Sequence, residues 1–395
     1  MKNYKNLIIG TAVTMFCAIT PLSAFAGPLQ DGYAAYQKKD YVTARAQLEP
    51  LSNSGDRIAQ YLVGVMHENG WAGYTKSQSE AFRLYKASAD HGFTGAYEYL
   101  ADMYFYGAGT PKNYDQAFAW YYKVGLENKN AAVLKRLGDM YDYGQGVGVS
   151  AETAVSYYKK SADLGYSKAQ VSLGYMYENG RGIAQSNTEA INWYRKAAEQ
   201  GNARGQTNLG YMYDTAKGIP KSYTQAAEWY RKAADQNFGR AQTNLGFAYE
   251  KGRGVPQSMD EAFKWYLKSA ETGYARGMSS VGHMYEKGKG TTKSHSEALK
   301  WYRKAAAKGN ARAQANVGFF YEKGYAVPAS DTEAYQWYQK SANQNFARGQ
   351  FNLGVMYYNG KGVTKDRTRA IELFKKSAAQ NYKQAKDTLV KLGIK

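Results

Sequence analysis

Residues 169–201 read AQVSLGYMYENGRGIAQSNTEAINWYRKAAEQG, and segments of the same design recur along the chain. A glycine returns every 36 residues, at Gly138, Gly174, Gly210, Gly246, Gly282, Gly318 and Gly354. Gly64 and Ala101 continue this series upstream in steps of 37 residues. Two further series share the phase, one of tryptophans that includes Trp193 and one of alanines that includes Ala190. Three series in one phase indicate about nine tandem repeats.

Each repeat has the pattern of two helices joined by a short turn. Ala169, Leu173 and Tyr177 share one face of the first helix, and glycines such as Gly180 suit the turn that follows. A glycine inside a helix costs roughly 1 kcal/mol relative to alanine, so its recurrence predicts close backbone approach. The second helix opens with a capping box at Ser77…Glu80, Ser186…Glu189, Ser222…Gln225, Ser258…Glu261, Ser294…Glu297 and Ser330…Glu333. Nothing in the pattern has a period of two, so the sequence predicts an all-α fold.

Helix pairs of this kind cannot bury their apolar stripes alone, and they stack on their neighbours. The sequence therefore predicts an α/α solenoid of about nine helix-turn-helix repeats, over residues 58–381. Residues 27–57 are predicted to form an N-terminal capping helix pair, and residues 382–395 a C-terminal capping helix.

The pattern A-x-x-x-L-G-x-x-Y-x-x-G-x-G-[VI]…A-x-x-W-Y-x-K-A-A-x-x-G resembles the Sel-one-like repeat (SLR) family. The resemblance covers residues 58–381, and departures such as His67 and Ala216 are confined to single positions and to the ends. Tetratricopeptide repeats are related but have a period of 34 residues. The resemblance implies a right-handed superhelix that binds other proteins, often in bacterial envelopes.

The first 26 residues have the features of a secretory signal peptide. Lys2 and Lys5 precede an apolar segment, and Ala24-Phe25-Ala26 provides a small-x-small cleavage site. We expect cleavage near Ala26 and a periplasmic or secreted protein. The single cysteine lies in this segment, so the mature chain has no thiol, and its net charge falls from +19 to about +17.

No pattern in the chain indicates catalysis. The four histidines are scattered, and there is no HExxH, P-loop or G-x-S-x-G motif. We therefore expect no enzyme activity, no cofactor and no metal site. Cysteine-rich SLR proteins are linked to β-lactam binding and hydrolysis, but they carry a disulfide in each repeat, which this mature chain lacks.

The better candidate is one face of the first helices. At about 100° per residue, the positions one after, four after and three before the phased glycine lie opposite the core positions. We expect them to line the concave surface of the solenoid. The position after the glycine is mostly aromatic, at Tyr175, Tyr211, Phe247, His283, Phe319 and Val355. The position four after it is acidic, at Asp142, Glu178, Asp214, Glu250, Glu286 and Glu322.

Rows of exposed aromatic side chains mark binding surfaces, and the acids could select a basic ligand. The alternative is that the rings stack between repeats while the acids pair with Arg195, Arg231 or Arg303. The leading functional hypothesis is a non-enzymatic protein-interaction scaffold of a Gram-negative envelope: an adaptor, a host-contact factor or an immunity protein against a toxin. A second hypothesis is a binder of anionic polymer such as peptidoglycan or lipopolysaccharide, through basic second helices. A β-lactam-directed enzyme is the third. We expect no nucleic-acid partner and no stable membrane insertion.

Overall fold

The computed structural model describes residues 27–126 and 130–394, and these form 21 helices and no strand. The predicted signal peptide lies outside the described residues. The chain divides into two compact units, residues 1–190 and 191–395, and the division falls within α10 (Asn187–Glu199).

In its described residues the first unit has nine complete helices, and a 3₁₀ turn (Thr94–Ala96) precedes α5. They are α1 (Pro28–Gln37), α2 (Tyr41–Asn53), α3 (Arg57–Asn69), α4 (Gln78–Asp90), α5 (Tyr97–Tyr106), α6 (Tyr114–Gly125), α7 (Ala131–Tyr143), α8 (Ala151–Asp163) and α9 (Ser167–Asn179). The second unit contains α11 (Ala203–Thr215), α12 (Tyr223–Ala234), α13 (Gly239–Lys251), α14 (Met259–Glu271), α15 (Ala275–Lys287), α16 (His295–Ala307), α17 (Ala311–Lys323), α18 (Asp331–Asn343), α19 (Ala347–Asn359), α20 (Arg367–Ala379) and α21 (Lys383–Lys391).

Within each unit every helix packs on the next one along the chain. The odd-numbered helices from α3 to α19 are the first helices of repeats, and the even-numbered ones from α4 to α20 are the second helices. First helices of successive repeats also touch, as α13 touches α15 and α17 touches α19. This is an all-α solenoid, and the predicted fold class is confirmed.

The phased glycine lies where a tyrosine of the second helix packs against the first. A Cβ on Gly246 would stand 2.8 Å from the Tyr266 ring, and one on Gly282 would stand 2.7 Å from the Tyr302 ring. Both distances are shorter than carbon–carbon contact allows. The predicted close approach is confirmed, and its cause is the buried tyrosine.

The ends of the helices follow local rules. Gly252 closes α13 in the left-handed conformation, with φ 64°. Ser258 accepts the Glu261 N–H at 3.2 Å, as the capping box predicts. The second hydrogen bond of the capping box, from the Ser258 N–H to the Glu261 carboxylate, does not form. The Ser258 N–H donates to the Tyr249 carbonyl instead, at 3.0 Å. The Glu261 carboxylate pairs with Lys264 at 2.7 Å.

Candidate binding face of the first helices

The second unit presents one repeated stripe on its first helices. Positions six before, two before and one after the phased glycine follow at intervals of four and three residues, so they share one side of each helix. We call this side the first-helix face. The first position holds Arg204, Arg240, Arg276, Arg312 and Arg348. The second holds Asn208, Asn244, Ser280, Asn316 and Asn352, and the third holds Tyr211, Phe247, His283, Phe319 and Val355.

The predicted aromatic row lies at the surface in both units. Tyr175, in the first unit, is 49% exposed. Tyr211, Phe247, His283 and Phe319, in the second, are each half-buried. In the part of the second unit that the structure describes, no ring of this row packs on the next one. The alternative of rings stacked between repeats therefore finds no support.

Cations, rather than other rings of the row, lie beside these side chains. The Arg253 guanidinium is 5.1 Å from the Phe247 ring centre, and the Arg348 guanidinium is 5.9 Å from that of Phe319. Burial lowers the pKa of the His283 imidazole, although the neighbouring Glu286 and Glu250 oppose this. His283 therefore favours its neutral form at pH 7, and the arginines are the charged residues at the three positions that define this face.

The glutamates of the acidic row form hydrogen bonds and ion pairs within their own repeats. Glu286 accepts the Tyr302 hydroxyl at 2.7 Å with one oxygen and pairs with Lys287 at 2.7 Å with the other. Both oxygens of Glu250 and Glu322 are occupied in the same way, by the tyrosine of their own second helix and by the next lysine. Burial alone would raise the pKa of Glu286, but the bonds from lysine and tyrosine outweigh it and lower that pKa. The carboxylate thus stays ionised.

The aspartates of this row pair with a cation of the following repeat. Arg253 is 3.6 Å from Asp214, and Arg181 is 3.0 Å from Asp142. Glu178 is half-buried near the end of α9. The partner-binding role of the acids stays a prediction, but their carboxylates already serve the fold.

The second-helix arginines contact tyrosine hydroxyls rather than the acids with which the sequence suggested they pair. Arg231 donates to the Tyr249 hydroxyl, and Arg303 donates to the Tyr321 hydroxyl at 2.7 Å. Arg195 lies 3.4 Å from the Tyr213 hydroxyl.

The prediction that the position three before the glycine lies at the surface is wrong. Thr207, Thr243 and Ser279 are buried, and Thr243 hydrogen-bonds Ser269 at 2.8 Å. This position faces the second helix because neighbouring helices enclose more of each first helix than a single-helix projection allows.

Lysines of the second helices lie over the rings of tryptophans on the same helix. Lys232, Lys268, Lys304 and Lys340 each place their ammonium 4.2 Å from the ring centre of the tryptophan three residues earlier. These contacts give the lysines a packing role in the second helices.

Sequence reasoning missed two features of this site. One is the hydrogen bond from the second-helix tyrosine to the acid, and the other is the arginine row. Both features could have been found from the sequence, because the tyrosine of the Trp-Tyr pair and the arginine each recur at a fixed place in the repeat. Within residues 27–126 and 130–394, no group of three or more His, Cys, Asp or Glu could hold a metal ion. No helix in these ranges has the length and apolar character that crossing a membrane requires.

Solved structures with the same fold include two close in sequence. The protective antigen c5321 of uropathogenic Escherichia coli strains, which displays an SLR fold, is 31% identical with a TM-score of 0.68; the alignment covers 91% of this chain and 78% of that one. A Sel1 repeat protein from Oxalobacter formigenes is 32% identical with a TM-score of 0.57, over 62% of this chain and 96% of that one.

The immunity protein Pa5087 from Pseudomonas aeruginosa is 18% identical with a TM-score of 0.40, over 54% of this chain and 81% of that one, too distant to indicate immunity. None of the curated proteins compared with this chain matches it.

The family model of the Sel1 repeat matches nine segments of the sequence. They are residues 57–93, 95–123, 132–166, 167–202, 203–238, 239–274, 275–310, 311–346 and 347–382. The predicted number of repeats and the predicted resemblance are confirmed. The chain belongs to the Sel1 repeat family.

Proposed function

We propose that this chain is a non-enzymatic scaffold that binds another protein on its first-helix face. Sel1 repeat proteins bind other proteins, act as interaction scaffolds and are generally not enzymes. A scaffold built from rigid helices offers a preformed surface, so its partner binds without a large cost of ordering the site.

One observation carries the proposal. Tyr211, Phe247, His283 and Phe319 remain half-exposed on regular helices, whereas the tyrosines of the second helices, such as Tyr266, are buried. Rigid aromatic side chains give a large contact area for little loss of conformational freedom. Their recurrence on one face suits a partner that extends across several repeats.

We place this scaffold in the bacterial envelope, in the periplasm or beyond it, after cleavage near Ala26. The sequence features of residues 1–26 support this location, and so does the similarity to a protective antigen of uropathogenic Escherichia coli strains. Whether it serves as an adaptor, a host-contact factor or an immunity protein depends on the identity of the partner.

Affinity capture with residues 27–395 as bait tests the proposal on envelope and culture-supernatant extracts. We expect one protein to be retained by the natural chain and lost by the double variant Tyr211→Ser with Phe247→Ser. The variant should keep its helical circular dichroism and nearly its melting temperature, because both rings are half-exposed. Val390→Ser, at a side chain 76% exposed on α21, is the control and should retain the protein. Equal retention by the double variant, or a large fall in its melting temperature, would contradict the proposed face.

Binding of an anionic polymer by the second helices has less support. The lysines that would provide the charge lie over tryptophans, and Arg231 and Arg303 bond tyrosine hydroxyls. Their positions are explained by packing.

A further inference from the structure

The arginine row of the first-helix face occupies a position that the helix dipole disfavours. Arg204, Arg240, Arg276, Arg312 and Arg348 are each the second residue of a first helix. A cation there faces the positive end of the helix dipole, which disfavours it by roughly 0.3–1 kcal/mol. A residue that costs helix stability and yet occupies the same place in five successive repeats calls for another role.

The charge of these arginines is not neutralised within the second unit. Among the residues that the structure describes, none forms an ion pair with any of the five. Arg348 donates to the Asn316 side-chain oxygen at 2.9 Å, and Arg240 to that of Asn208 at 3.3 Å. Both acceptors are neutral amides. Arg204, Arg240, Arg276 and Arg312 are exposed, while Arg348 is half-buried.

The carboxylates of the same helices already have a lysine as their counter-charge. Glu250, Glu286 and Glu322 each bond a buried tyrosine with one oxygen and a lysine with the other. The acids and lysines near the ends of these helices therefore compensate each other, and the arginines remain as a periodic positive row beside the aromatic row.

The spacing of the row selects the occupant. Successive first helices such as α13 and α15, or α17 and α19, are in contact, which places the axes of such neighbours roughly 8–10 Å apart. An extended polypeptide advances about 3.1–3.4 Å per residue, so every third side chain advances by about 9–10 Å. A polyproline-type chain has three residues per turn and presents these side chains on one side.

Carboxylates and guanidiniums form paired hydrogen bonds, and the aromatic side chains beside the arginines can receive the intervening residues. A nucleic-acid strand carries a charge about every 3.4 Å, which is far denser than one arginine per repeat.

From this geometry we infer that the first-helix face of the second unit binds an extended acidic segment of a partner protein, with an Asp or Glu at every third residue. The inference rests on the proposed function, and it names the chemistry of the partner. Each arginine takes one carboxylate, and residues such as Phe247 and Phe319 contact the side chains between.

The test is fluorescence anisotropy of a labelled peptide with the chain 27–395. The peptide has about fifteen residues in the order Glu-Pro-Ala, repeated, and the control peptide has the same composition with its glutamates in one block. We expect tighter binding of the periodic peptide, and at least about a tenfold weakening in the triple variant Arg240→Gln, Arg276→Gln and Arg312→Gln.

The matched control removes the same charge from the second helices. Lys232→Gln, Lys268→Gln and Lys304→Gln together should leave peptide binding within about twofold, and both triples should keep the helical signal of the natural chain. Equal weakening in the two triples would show that only net charge matters and would overturn the inference. Failure of the natural chain to prefer the periodic peptide would overturn it as well. So would preferential binding of dextran sulfate over both peptides, which would indicate a polymer binder.

Affinity capture with the arginine triple variant as a second bait distinguishes failure of this inference from failure of the proposed function. If the protein retained by the natural chain is also retained by the arginine triple, the scaffold stands and the acidic-segment inference fails. If the natural chain retains no protein, the proposed function itself fails.

Discussion

The phased glycine, the second-helix tyrosine and the acid form one unit at the level of single residues. Because Gly282 has no side chain, the Tyr302 ring can pack directly against it. In this position the Tyr302 hydroxyl donates a hydrogen bond to Glu286. Burial and the carboxylate together raise the pKa of Tyr302 strongly, so the hydroxyl stays a donor at any physiological pH. A charge-assisted bond of this kind locks the two helices of a repeat in one register. The acid therefore recurs for a structural reason that its surface position alone would not reveal.

In the first unit, burial changes the ionisation of a different carboxylate, that of Glu98. Glu98 on α5 accepts the Asn130 side-chain amide at 2.8 Å. Burial, followed by the neighbouring Asp102, raises the pKa of Glu98 to about 7, against the opposing effects of Asn130 and Arg136. The folded state therefore binds this proton more tightly than the unfolded chain. The stabilisation is complete below the ordinary pKa of 4.5 and is lost as the pH rises through 7.

Glu98→Gln should remove this pH dependence, because the amide keeps an acceptor for Asn130 and has no proton to lose. Between pH 5 and pH 8 the natural chain should lose on the order of 1–2 kcal/mol of unfolding free energy relative to the variant. Urea unfolding at both pH values, followed by circular dichroism, measures the difference. Glu152→Gln, at an exposed side chain of α8, is the control and should run parallel to the natural chain. Parallel behaviour of Glu98→Gln would refute the assignment.

At the level of helices, α20 differs from the second helices that carry a tryptophan at a position that borders a groove. Leu373 occupies the place that tryptophan fills in earlier repeats such as Trp337. A groove of about 780 Å³ lies there, bordered by Leu373, Lys376 and Ala342 among others. Lys376 follows Leu373 by three residues, the interval at which Lys340 covers Trp337.

Leu373→Trp should fill part of this groove and gain the contact with Lys376. We expect the unfolding free energy to rise by about 0.5–2 kcal/mol, the usual range for a filled gap. Thermal and urea unfolding would measure the change, with Leu373→Ala as the opposite variant, which should be less stable than the natural chain. If the tryptophan variant unfolds more easily, the groove is not a packing gap that a larger ring can fill.

The helices were predictable because each has a local cause in the sequence. Gly252 ends α13 in a left-handed conformation, Ser258 caps α14, and both effects act within a few residues. The site was less predictable, because its contacts join the two helices of a repeat. The aromatic row could be read from the projection of one helix, but the burial of Thr243 and the engagement of Glu286 depend on the neighbouring second helix. The arginines also recur with the period of the repeat, but the period does not show that they lack ion pairs among the described residues.

At the scale of the whole molecule, a repeat is a unit that can be removed. Residues 275–310 form one matched segment, and its removal joins Tyr274 to Ala311, the first residue of α17. Since each repeat contacts chiefly its neighbours, α17 can take the place of α15 against α13 and α14. The deletion also removes one arginine, Arg276, from the row and leaves the other four in phase.

We expect this deletion variant to fold cooperatively with helicity per residue equal to that of the natural chain. It should bind the periodic glutamate peptide more weakly than the natural chain but more tightly than the arginine triple. Deleting residues 275–292 alone is the control, because it removes α15 and leaves Tyr302 without Gly282 to pack on or Glu286 to bond. That variant should lose cooperativity in thermal unfolding monitored by circular dichroism. Equal damage from the two deletions would mean that the second unit depends on long-range contacts rather than on the repeat and its neighbours.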